Sequence, residues 1–316
     1  MRLFAKNKKM AGWMAFVLDH AEIRVASVKR AAQSMPSVES IASYALGDGV
    51  SEKLLEKIGK DLHAENYECT TLLSPSEYQL LSVEAPPVPR EELKTAIRWR
   101  LKDMLDFRVE DATIDVLDVP VSKDAPVRSH SMYAVAARNQ VIEKRQTLFA
   151  EAKISLRAID IPDVAQRNIS ALLEPEGRGV ALLSFDADGG LLTVTFGGEL
   201  YLSRKIDVSL AQLNQATGDE KNAIYDKITL ELQRSLDHFD RQYHFVTLGK
   251  LFLAPMSEEG VKLQEYLASN LYIPVDTFKL ETILDLSKVP ELKATDMQQR
   301  YFLTLGAALR LEEKVL

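Results

Sequence analysis

The residues best placed to do chemistry sit in FDADGGLLTVTFGGELYLSRKID, residues 185–207. Asp186 and Asp188 stand just before the pair Gly189–Gly190, with apolar, β-branched runs on both sides. Carboxylates beside a glycine turn can hold a hydrated divalent cation while the turn's backbone N–H groups face phosphate oxygens. The same letters also spell an ordinary hairpin, because Asp-Gly favours a type I′ turn. An earlier aspartate, Asp19, ends a comparable run in WMAFVLD. The rest of the inventory is thin. His20, His63, His130, His238 and His244 are not at metal-ligand spacing from one another or from Cys69. There is no G-x-S-x-G elbow to anchor a hydrolase triad. Cys69, the sole cysteine, lies in the strand-like NYECTTLL and reads as a buried, inert thiol.

The elements that must position these residues repeat. WMAFVLD, IRVASVK and IASYALG read as strands. SEKLLEKIGKDLHAE follows as a helix, with Leu54, Leu55, Ile58 and Leu62 on one face and Ser51 as its cap. YECTTLL and EYQLLSVEA are two further strands. After residue 178 the order restarts with GVALLSFD, LLTVTFG and LYLSRKID. A long helix at 221–243 then carries the stripe Ile224, Ile228, Leu232, Ser235, Phe239 and Tyr243. A strand–strand–strand–helix unit used twice, with an aspartate in each first turn, predicts a two-lobed α/β protein with a cleft between the lobes.

Between the units, PPVPREELKTAIRWRLKDMLDF reads as a stiff turn entering a helix. Strands ATIDVLDVP and HSMYAVAAR and helix NQVIEKRQTLFAEA complete a small α/β insertion. The first of its helices has a core stripe of Leu93, Ala96, Ile97, Leu101 and Met104. Trp99 lies off that stripe, between Arg98 and Arg100. Trp99 either packs on a second neighbour or, with its arginines, anchors a partner peptide, these being hot-spot residue types.

Composition narrows the classes. A hydrophobic share of 46% and a charged share of 27% are ordinary for a globular chain. A net charge of -7 argues against a nucleic-acid partner. No apolar run approaches the ~20 residues that span a bilayer, so the chain is expected in the cytoplasm. The basic start offers Arg2, Lys6, Lys8 and Lys9 to an anionic membrane surface, although the charge pattern favours a solvated tail.

Taken in order, EYQLLSVEAPPVPREELKTAIRWRLKDMLDFRVEDATIDVLDVP, LRAIDIPDVAQRNI, LYLSRKID, LELQRSLDHFDRQY and YFLTLGAALR resemble the PilM/MshI family. These are actin-like cytoplasmic proteins of type IV pilus assembly, and the MshI branch is the nearer likeness. The resemblance spans almost the whole chain. It implies an actin-like ATPase fold, ribonuclease H-like and duplicated. The implied plan is a first lobe at 1–85, an inserted subdomain at 86–158, a return to the first lobe at 159–178, and a second lobe with a C-terminal helix at 179–316. It also implies docking of a short cytoplasmic tail of a bitopic, PilN-like inner-membrane partner onto the first lobe. Arg98, Trp99 and Arg100, singled out above by the place of Trp99 off the helix stripe, are the candidate contacts. The chain would thereby link membrane components to the rest of an assembly platform of the mannose-sensitive haemagglutinin (MSHA) kind.

An actin-like ATP site needs two tight hairpins aimed at the phosphates, an aspartate beside each for hydrated magnesium, and glycines before a late helix. Asp19 is in place, but His20, Ala21 and Glu22 occupy its turn. Asp186, Asp188, Gly189 and Gly190 keep the second hairpin. Ala254 and Pro255 stand where a glycine pair is expected, and Pro255 lacks a donor. The expectation is a vestigial site without ATP hydrolysis, with ATP and magnesium as cofactors only if the cleft is still active. The alternatives are an active ATPase or nucleotide switch of the same family and a small-molecule kinase on the shared fold.

Overall fold

The computed structural model describes residues 12–31, 34–47, 49–121 and 130–311. The basic cluster at Arg2, Lys6, Lys8 and Lys9 lies outside the described residues. Strands β1 (Trp13–Leu18), β2 (Glu22–Lys29) and β3 (Ser37–Ala45) form an antiparallel meander. Helix α1 (Glu52–Asp61) follows, capped by the Ser51 hydroxyl, which accepts from the Leu54 N–H at 3.3 Å. Strand β4 (Glu68–Leu72) then pairs parallel to β1.

Strand β5 (Tyr78–Glu84), helix α2 (Leu93–Leu101), and strands β6 (Ala112–Asp118) and β7 (Ser131–Arg138) come next. Helix α3 (Asn139–Glu151), strand β8 (Leu156–Asp160) and helix α4 (Pro162–Leu173) finish the first half. The second half runs through β9 (Gly179–Phe185), β10 (Gly190–Phe196), β11 (Glu199–Ile206), α5 (Leu210–Gln215) and α6 (Gly218–Gln242). It ends with β12 (Leu248–Leu253), α7 (Glu258–Asn270), β13 (Val275–Thr277) and α8 (Thr295–Ala308).

The strand orders display the duplication. The first sheet is β3-β2-β1-β4-β8 and the second is β11-β10-β9-β12-β13, the same topology used twice. A separate three-stranded sheet, β5-β7-β6, makes the insertion. Sheet pairing therefore moves the expected boundaries. Strand β5 hydrogen-bonds to β7, not to the first sheet, so the insertion starts before residue 78 rather than at 86. Helix α3 belongs to the first lobe instead: its Phe149 packs edge-on against Phe16 of β1, 5.6 Å between ring centroids. The α2 stripe also ends early. Met104 lies past the helix and is exposed, and Leu105 packs in its stead.

The last helix of each half crosses over. Helix α4 covers β9, β10 and β11 of the second sheet, while α8 covers β1, β2 and β4 of the first. Both the return segment at 159–178 and the C-terminal helix thus serve the opposite lobe from the one expected. Helices α4 and α8 also cross each other closely. A Cβ on Gly306 would lie 2.3 Å from the Ala165 carbonyl oxygen, and the Asn168 side-chain amide donates to the Gly306 carbonyl at 2.9 Å. Every residue of α4 from Pro162 to Ser170 is buried, polar ones included. No helix among the described residues is long and apolar enough to cross a membrane.

Candidate functional site

The two first turns face one cavity between the lobes, about 700 Å³ in volume. Asp19, Asp186 and Asp188 all line it, as the repeat predicts. Its walls are mainly apolar, with Leu18, Leu72, Leu148, Phe185 and Phe302 among them, and Arg24, Lys144, Arg145 and Arg300 add positive charge. The volume is within the range of about 300–1,000 Å³ usual for small-molecule sites.

The first turn is built from its own ion pairs. The Asp19 N–H donates to the Glu22 carbonyl at 2.9 Å, which closes a turn over His20 and Ala21. Arg24, two residues along β2, donates to Asp19 at 3.1 Å and to the Arg300 carbonyl at 2.9 Å. Arg300 of α8 grips both Glu22 carboxylate oxygens and holds the Glu22 carboxyl below its usual range. Asp19 and Glu22 are thus neutralised by protein cations. The sequence reading missed both arginines. Arg24 could have been found from its position on the strand leaving the Asp19 turn, but Arg300 is remote in sequence and gives no such signal.

The second turn closes like the first, the Asp186 N–H donating to the Gly189 carbonyl at 2.9 Å over Ala187 and Asp188. It is not the type I′ form that Asp-Gly suggested, because Asp188–Gly189 is not its central pair and neither central residue has positive φ. Four residues, Asp186–Gly189, join the strands. The Asp186 carboxylate accepts from the N–H groups of Asp188 (2.8 Å) and Gly189 (3.1 Å). Burial pushes the Asp186 carboxyl above the ordinary aspartate value, against the lowering effect of those two bonds. The glycines have local structural reasons. Gly189 has φ +137°, and a Cβ there would approach the Ile206 carbonyl oxygen to 2.9 Å. A Cβ on Gly190 would meet the Phe185 ring at 2.7 Å. These contacts require glycine whether or not a phosphate is ever present.

ATP and magnesium, which an actin-like fold implies, fit this donor set poorly. The N–H groups of Asp188 and Gly189, which would face phosphate, are taken by Asp186, and the first-turn carboxylates by arginines. Pro255 is buried and brings no donor. No group of three or more His, Cys, Asp or Glu among the described residues is arranged to hold a metal ion. Cys69 is buried, and burial pushes its thiol up to about 12.

The insertion carries the second candidate surface. One face of its sheet (Val83, Ile114, Val116, Met132, Ala134, Ala136) packs under Ile97 and Leu101 of α2. Arg98 donates to the carbonyls of Val109 (2.7 Å) and Ala112 (3.1 Å), and Arg100 to that of Glu84 (3.0 Å). Both arginines thus bind strand and turn backbone of the insertion itself. Trp99 between them is 69% exposed, so it does not pack on a second neighbour within the described chain.

The sequence matches no protein-family model, and no curated protein matches it. Solved structures do match. The chain is similar to one in a structure described as the PilM-PilN type IV pilus biogenesis complex, with a TM-score of 0.69. That match has 18% identity and covers 95% of this chain and 98% of that one. It is also similar to a Bacteroides thetaiotaomicron protein described as having an actin-like ATPase fold and unknown function. There the TM-score is 0.50 and the identity 7%, with 93% of this chain and 100% of that one covered. At such identities the likeness establishes the fold: actin-like, mixed α/β, with two lobes and an insertion.

Proposed function

We propose that this chain is a cytoplasmic, non-catalytic scaffold of a type IV pilus inner-membrane assembly platform, of the MSHA kind. It binds the cytoplasmic tail of a bitopic, PilN-like partner and meets the membrane through that partner. The observation that carries this reading is the near full-length similarity to the structure of a PilM-PilN complex. Two features of the molecule support it. The cleft's phosphate-facing groups are engaged by its own side chains. Trp99 stands exposed on a platform whose arginines are already held by backbone, so docking costs little further side-chain ordering. The site residues of this reading are Trp99 with Arg98 and Arg100 as its supports.

The test is co-purification of the chain with the tagged cytoplasmic tail of the PilN-like protein from the same pilus system. Retention of the tail in stoichiometric amount is expected; a tail that elutes freely refutes the scaffold. A nucleotide switch is the second reading, favoured by Asp19, Asp186 and Asp188 sharing one cavity. ATP-dependent thermal stabilisation separates the two.

A further inference from the structure

The sheet of the insertion has two working faces. Met132, Ala134 and Ala136 of β7 point toward α2, and the alternate residues Tyr133, Val135 and Ala137 point the other way. That second face meets the opposite lobe. The Tyr133 hydroxyl donates to the Tyr201 carbonyl of β11 at 3.2 Å and accepts from the Ser203 N–H at 3.3 Å. The Ser203 hydroxyl donates to one oxygen of Asp163, and the Tyr78 hydroxyl of β5 donates to the other. Lys205 donates to the Pro75 carbonyl at 2.9 Å and lies 4.8 Å over the Tyr78 ring. Strand β11 is an edge strand with a bulge at Tyr201, so the backbone groups of Tyr201 and Ser203 stand open on its outer side for the Tyr133 hydroxyl. The contacts of Ser203 and Lys205 continue the grip along that edge.

This grip adjoins the cleft. Pro75 and Glu77, at the root of the insertion, line the cavity, as does Asp186 at the second turn. Gly189 and Gly190 of that turn lie against Ile206, the neighbour of Lys205. The cleft turn, β11 and the insertion are therefore in continuous contact, and the insertion touches both lobes at once. Asp163 sits where all three meet, buried at 1% exposure with both carboxylate oxygens taken by hydroxyls from two different bodies.

We propose that β11 is a strap that holds the insertion against the second lobe, so that the lobe angle and the binding state of the Trp99 face are coupled. This rests on the reading of the insertion as a partner-docking element. Docking on α2 and opening of the lobes draw on one set of contacts, because the sheet beneath α2 is the body that the strap holds. A strap that is intact keeps the insertion in its binding position; a strap that is cut lets it swing and lowers affinity for the tail.

The experiment cuts the strap away from the Trp99 face, with Ser203→Ala plus Tyr133→Phe in one variant and Lys205→Met in another. Lys205 is exposed, so its loss does not threaten folding. Amide hydrogen exchange is followed by mass spectrometry on the full chain without partner. Exchange is expected to rise together in 78–84, 131–138 and 199–206 while 13–29 is unchanged. A rise confined to 199–206, or none, overturns the strap. In a second arm the fluorescein-labelled tail peptide of the PilN-like protein is titrated against each variant. A loss of about fivefold or more in affinity is expected. If exchange rises but affinity is unchanged, the coupling is wrong while tail binding stands. If the unaltered chain does not bind the peptide, the docking reading fails, the coupling falls with it, and the exchange arm still decides whether the strap exists.

Discussion

Gly306 of α8 and Ala165 of α4 touch backbone to backbone where the two crossover helices meet. A Cβ at 306 would stand 2.3 Å from the Ala165 carbonyl oxygen and 2.8 Å from its carbon. Neither atom is the end of a flexible side chain, so relief requires the helices to part. Gly306→Ala is therefore expected to destabilise the protein by about 2–4 kcal/mol, in spite of alanine's better helix propensity. Chemical denaturation measures this. A loss below about 0.5 kcal/mol, the scale of a surface change, would mean the helices do not approach this closely.

Asp186 supplies a pH test. Its carboxyl is raised chiefly by burial, so the native state keeps this proton to higher pH than the unfolded chain does. Unfolding then releases a proton in the window between the unfolded value, about 3.9, and the raised native one, and stability from this group falls as pH rises through that window. An asparagine side chain in its place keeps an oxygen acceptor for the two N–H groups and carries no charge. Asp186→Asn is expected to be the more stable protein at neutral pH, with the gap closing toward pH ~3, below the unfolded value. Melting curves across pH read this directly; a gap of opposite sign at neutral pH would show that the charge is needed there.

Truncation of Trp99 separates docking from packing. The side chain is mostly in solvent, so Trp99→Ala should leave Tm nearly unchanged. Loss of a central aromatic anchor typically costs about 2 kcal/mol or more, over tenfold in affinity for the partner tail. Unaltered binding by a folded variant would remove Trp99 from the site.

Nucleotide is expected to leave the melting temperature where it is. A ligand at a hundredfold above its Kd stabilises by about 2.7 kcal/mol, which a thermal scan resolves easily. Because the turn donors are engaged by Asp186 and the first-turn carboxylates by Arg24 and Arg300, ATP with magnesium should give no shift. A dose-dependent rise that vanishes in Asp186→Ala would favour the nucleotide switch instead.

Much of the frame was legible from local pattern. The Ser51 cap, the α1 face of Leu55 and Ile58, and the repeated meander followed from periodicity and turn chemistry. What resisted reading depended on distant partners. The letters of β5 say strand, but nothing in them says which sheet completes it. Helix α4 carries Asp163, Gln166, Arg167 and Asn168, which resemble a solvent-facing run. They are buried because Tyr78, Ser203, Leu182, Leu191, Gly306 and, for Arg167, the Glu199 carboxylate supply partners from elsewhere in the chain. At the site, the three aspartates were found by spacing. The use of Asp186 as a clasp for its own turn was not, since a ligand aspartate and a turn aspartate have the same spelling.

The crossover of the last helices also sets an order of events during synthesis. Ala15, Ala26 and Val28 of the first sheet bury themselves against a cluster that includes Leu305, Ala308 and Leu309. The first lobe is translated long before that surface exists. A nascent chain halted before residue 295 has one face of its first sheet bare, while the second sheet already has α4 waiting for it. The half made second should thus mature first on the ribosome, and the half made first should depend on chaperones until α8 emerges.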